Sequence, residues 1–66
     1  MQQITTVITG VPTGDDDGAA RMRQLVNRDD DLAAHARAGY RLHNTQTITG
    51  TDRVTFVDTL TRDNDE

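Results

Sequence analysis

Gly39 restricts the fold of this chain more than any other residue, because a helical spacing of apolar residues ends there and a strand-like alternation begins. Upstream, Leu32, Ala33 and Ala36 recur at helical spacing and define a narrow face of small apolar groups. Downstream, Tyr40 and Leu42 alternate with Arg41 and His43, the period of a strand. A glycine between them suits the left-handed conformation that closes many helices. Asp29, Asp30 and Asp31 offer acceptors to the free N–H groups of a first turn and negative charge to the positive end of the helix dipole. The stretch from Asp29 to Leu42 therefore reads as helix start, helix body, helix stop and strand entry.

The chain before it supplies a strand and a further helical segment. Gln3 to Thr9 is rich in β-branched residues, with Ile4, Thr6 and Ile8 on one face and Thr5, Val7 and Thr9 on the other. Gly10, Pro12 and Gly14 then break regular structure. Asp15, Asp16 and Asp17 lack the alternate spacing of a calcium loop, so one of them is expected to cap a helix over Ala19 to Asn27. Met22, Leu25 and Val26 would form its buried stripe. Continuing that stripe by three residues lands on Asp29, a costly residue to bury, which predicts a break or kink near Asn27 to Asp30.

After Gly39, Tyr40 to Thr49 and Arg53 to Thr61 read as a hairpin around Gly50-Thr51-Asp52, a loop of odd length. Placing Ile48 opposite Val54 sets Gln46 against Phe56, Asn44 against Asp58 and Leu42 against Leu60, which gathers the large apolar residues under the helices. The other face would then carry Arg41, His43, Thr45, Thr47 and Thr49 against Arg53, Thr55, Val57, Thr59 and Thr61, with Thr5, Val7 and Thr9 beside them. The expected fold is α+β, in the order β-α-β-β. It has a three-stranded, mostly antiparallel sheet with one kinked helix or two short helices on one face. Residues Arg62 to Glu66 are expected to fray.

A single domain of 66 residues hides only about 60% of the surface its unfolded chain exposes. Self-association is therefore expected. The absence of cysteine excludes a disulfide framework and a thiolate metal site. No segment is apolar enough to span a membrane and no leader is evident, so a cytoplasmic location is expected. The net charge of −4 argues against general affinity for nucleic-acid backbone. All basic residues are arginine, a bias that fits a GC-rich or salt-adapted host, whether bacterial, archaeal or viral.

At Ala38-Gly39-Tyr40-Arg41-Leu42 the sequence resembles a family of short bacterial and phage domains of unknown function, in which a helix ending in Gly-Trp-Glu-Leu runs into a hairpin. Gly39 and Leu42 stand at the family's glycine and leucine, while Tyr40 replaces the tryptophan and Arg41 the glutamate. The likeness covers residues 30 to 62 and an initial strand. It implies the β-α-β-β order and transfers no active residue.

His35 and His43 are the side chains that titrate nearest neutrality, and neither has a set of catalytic partners in the sequence. With no serine or cysteine, an enzyme is not expected, and neither is a cofactor or metal. The first functional expectation is an acidic, non-enzymatic, homo-oligomeric module that binds a protein partner, with its oligomer interface at Val7, Thr45, Thr47, Thr55, Val57 and Thr59. The second is a phage or mobile-element accessory or inhibitor protein. It would hold an anionic small molecule, such as a nucleotide, at Arg41, His43 and Arg53.

Overall fold

A computed structural model describes residues 1–63. The elements follow one another as β1 (Gln2–Pro12), α1 (Gly18–Arg37), β2 (Arg41–Thr49) and β3 (Arg53–Asp63). The three strands form one antiparallel sheet in the order β1-β3-β2, so the last strand lies in the centre and the other two are edges. The α+β class and the β-α-β-β order are those the sequence predicts.

The helix ends where Gly39 demands. Gly39 has φ of 93°, the one left-handed residue among those described. Its N–H donates to the Ala36 carbonyl and the Tyr40 N–H donates to the His35 carbonyl, each at 3.0 Å. These two bonds make the glycine-closed helix terminus in which backbone donors from beyond the helix satisfy its last free carbonyls.

Upstream of that stop, the expected break does not occur. α1 is a continuous helix of 20 residues, and Asp29, Asp30 and Asp31 lie exposed within it instead of capping a second helix. Asp17 occupies the N-cap position, but its side chain makes no capping hydrogen bond. The reason is rotation. The half-covered positions are Ala20, Arg21, Gln24, Leu25, Arg28, Leu32 and His35, a continuous stripe at helical spacing that passes through Arg28 and leaves Asp29 outside. Met22 and Val26, expected in the buried stripe, are 64% and 48% exposed. Met22→Gln should accordingly shift the urea midpoint by no more than about 0.5 kcal/mol equivalent, as for other exposed sites. A loss several times larger would restore Met22 to the core.

The hairpin also differs in register. Thr49 pairs with Val54 and the Gly50 N–H donates to the Arg53 carbonyl at 2.7 Å, so the loop is the even-length pair Thr51-Asp52. Ile48 therefore faces Thr55, Gln46 faces Val57 and Thr45 faces Asp58, each one residue away from the expected pairing. An irregularity at His43 absorbs the extra residue, after which Leu42 meets Leu60 as expected. Because side chains alternate across a sheet, the one-residue slip carries Thr45, Thr47 and Thr49 to the helix side.

β1 runs on through Gly10 and Val11 to Pro12, which an edge strand tolerates at its end. Val7 pairs with Asp58 and Val11 with Val54, placing Gln3, Thr5, Val7, Thr9 and Val11 beneath the helix. Val7 and Thr9, expected on the open face, are buried. The fully covered apolar core is Val7, Val11 and Leu60. Arg62, expected to fray, is half-buried in β3, and Asp63 closes that strand. The remainder of the expected tail, residues 64–66, lies outside the described residues.

Candidate functional site

The two faces of the sheet differ in what covers them. α1 runs over β1 and approaches β2 at few points. Its contact with the central strand depends on long polar side chains. Arg28 donates from Nε to Asp58 Oδ2 at 2.8 Å and from Nη2 to Asp58 Oδ1 at 2.9 Å, and Thr45 Oγ1 donates to Oδ1 at 2.7 Å. The Arg28 guanidinium also lies 4.7 Å from the centre of the Phe56 ring. The Asp58 side chain has no exposed surface, and its carboxyl is held below the ordinary carboxylate range chiefly by the hydrogen bond from Arg28. Burial opposes that shift, and the Thr45 hydroxyl and Arg28 charge add to it.

Two further arginines fasten the ends of the helix. Arg21 donates to the Pro12 carbonyl at 3.1 Å, holding the start of α1 to the end of β1. Arg62 donates to the side-chain carbonyl of Gln3 from both Nε and Nη2, and to the Ala38 carbonyl at 2.9 Å, while stacking over Tyr40. His35 sits in this corner too. Its Nδ1 donates to the Asp31 carbonyl at 2.7 Å and its ring meets Tyr40 edge-on. A carbonyl only accepts, so that nitrogen carries the proton.

The opposite face has no covering element among the described residues. From the register its rows are Ile4 with Thr61 and Arg41, Thr6 with Thr59 and Asn44, Ile8 with Val57 and Gln46, and Thr55 with Ile48. Ile4, Ile8 and Ile48 are 67%, 70% and 57% exposed. Of the expected interface residues, Thr55, Val57 and Thr59 lie here. Thr45 and Thr47 lie on the helix side because of the register slip, Val7 lies there because β1 sets it opposite Asp58, and Ile4, Ile8 and Ile48 take their places. The signal for Ile4 and Ile8 was the uninterrupted alternation of β1, counted through Val11.

The expected anion site does not assemble. Arg41 pairs with Thr61 and Arg53 with Pro12, positions separated by eight residues of β3, or about 26 Å at the rise of a strand. Arg41 and His43 do share a shallow cleft at one end of the sheet with Gln2, Leu42, Thr61 and Asp63. The Asp63 carboxylate there offsets the positive charge that an anion would need.

Among the described residues no helix is long and apolar enough to cross a membrane. The sequence reading missed the Arg28–Asp58–Thr45 network, although its signal was present. Asp58 alternates with Phe56 and Leu60, so a charge on the inner strand face required a partner. Comparison with known proteins finds no matching family model, no matching curated protein and no matching solved structure.

Proposed function

We propose that this protein is a non-enzymatic, homo-oligomeric interaction module whose uncovered sheet face receives a second copy of the chain. The observation that carries the reading is the amount of surface left open. The single chain exposes 4799 Å². A compact monomer of 7.3 kDa exposes about 4,200 Å². Its radius of gyration is 13.8 Å, against about 11 Å for a compact chain of this length. The surplus of about 600 Å² per copy, taken over two copies, reaches the lower end of the roughly 1,200–2,000 Å² buried by specific interfaces.

Charge favours a second copy at this face. The chain carries a net charge of −4, yet the central rows of the face hold only Thr6, Ile8, Gly10, Asn44, Gln46, Ile48, Thr55, Val57 and Thr59. Charged side chains are thus kept to the ends of the sheet, where Arg41, Arg53 and Asp63 lie. Sedimentation tests the reading: the wild-type chain should sediment as an oligomer at micromolar concentration, and Val57→Asp should lower its mass. A wild-type monomer, or a Val57→Asp variant of unchanged mass, would remove the face as an interface.

A further inference from the structure

β2 is exposed at all nine of its residues, so among the described residues it has little cover on either face and no neighbour on its outer edge. Edge strands of soluble proteins are commonly blunted by charge, proline or a bulge, because a row of unpaired N–H and C=O groups invites another strand. β2 has such a device at its start, where Arg41 and the irregularity at His43 lie. From Asn44 to Thr49 it has none: the six residues are Asn, Thr, Gln, Thr, Ile and Thr. The other edge strand, β1, carries α1 over its inner face and ends in Gly10-Val11-Pro12.

The turn identifies which backbone groups are free. The Gly50 N–H donates to the Arg53 carbonyl, so Gly50 points its backbone at β3. In an antiparallel pair such residues alternate with those pointing away. Ile48, Gln46 and Asn44 therefore address β3, while Thr49, Thr47 and Thr45 present their N–H and C=O groups outward. Three consecutive outward-facing residues form a self-complementary set. About a two-fold axis at Thr47, that residue meets its own copy and Thr45 meets Thr49, and each of the three pairs exchanges two backbone bonds.

We propose that two copies of the chain join through the β2 edges in this register, converting two three-stranded sheets into one sheet of six strands. The proposal rests on the self-association reading above and adds to the face contact a separate seam at the strand edge, which leaves the open face available. No charged side chain lies in the Asn44–Thr49 segment of either copy, so the net negative charge of the chain does not oppose the approach. On the open face the axis brings Ile48 beside Gln46 of the second copy, extending the apolar rows across the junction.

Thr47→Pro is the test, because it deletes an N–H that points away from β3 and leaves the β2–β3 ladder intact. The full chain should keep its far-ultraviolet circular dichroism, and its sedimenting mass should halve relative to wild type. In the wild type, amide exchange at Thr45, Thr47 and Thr49 should slow as protein concentration rises. A folded Thr47→Pro variant of unchanged sedimenting mass overturns the edge pairing while leaving self-association standing. A wild-type monomer overturns both. If the variant unfolds, the amide measurement decides: fast exchange at all three threonines in the oligomer overturns the proposal, and so does protection from an added extended peptide but not from a second copy.

Discussion

Asp58→Ala should destabilise the protein by about 3 kcal/mol, measured as a shift in urea unfolding at fixed protein concentration. Removing one member of a buried ion pair costs roughly 3–5 kcal/mol because the remaining charge is left without a partner. Arg28 retains 20% of its side-chain exposure and can recover some water, which places the effect at the lower end. The counterpart experiment separates the cost of breaking the pair from the worth of having it. Arg28→Met, Asp58→Leu and Thr45→Val combined should match or exceed the wild type, since apolar side chains of similar volume carry no desolvation cost. A triple variant as unstable as Asp58→Ala would mean that the network itself supplies net stability.

The same pair gives the fold an acid-sensitive component. Hydrogen bonding to Arg28 lowers the Asp58 pKa from its ordinary 3.8, so the folded state holds the carboxylate at pH values where the unfolded chain has begun to bind a proton. That stability is fully present above the unfolded value and is lost as pH falls through the lower, folded one. Denaturation curves of the wild type should lose stability below about pH 4. The triple variant should lose less over the same interval, and identical acid profiles would contradict the assignment to Asp58.

The second large effect is expected at Gly39. Gly39→Val should cost about 1–2 kcal/mol more than Gly39→Asn, because a β-branched residue is strained at positive φ whereas asparagine tolerates it. A Cβ at this position would stand 3.3 Å from Arg62 Cδ. Both variants place a Cβ at that contact, so the Cβ itself does not set the difference between them. Equal unfolding midpoints would show that the chain does not depend on a left-handed residue to leave α1.

Much of this architecture is legible from local chemistry. The β-branched run before Gly10, the helix ending at Gly39 and the hairpin after Tyr40 are each signalled by residues within a few positions of the event. A left-handed glycine and a run of alternating threonines act through the backbone nearest them. Whether Arg28 or Asp29 faces the sheet is a different kind of question. Both belong to stripes of plausible helical spacing, one through Leu25 and Leu32 and the other through Met22 and Val26. Avoiding Asp29 by breaking the helix follows from apolar residues alone, but Asp58 on the central strand supplies a partner that keeps the helix whole.

Register was likewise decided beyond the hairpin sequence. A two-residue turn shifts β2 by one position and the irregularity at His43 shifts it back, so Leu42 still meets Leu60 while Thr45 moves to the helix side. Period-two alternation identifies which residues share a face of one strand, but it cannot assign that face to the core when threonine dominates both sides. Local sequence thus determined where the strands, the helix and its stop occur. Only the tertiary structure decided which face each presents, because the Arg28–Asp58 pair and the position of β3 between β1 and β2 join residues far apart in the chain.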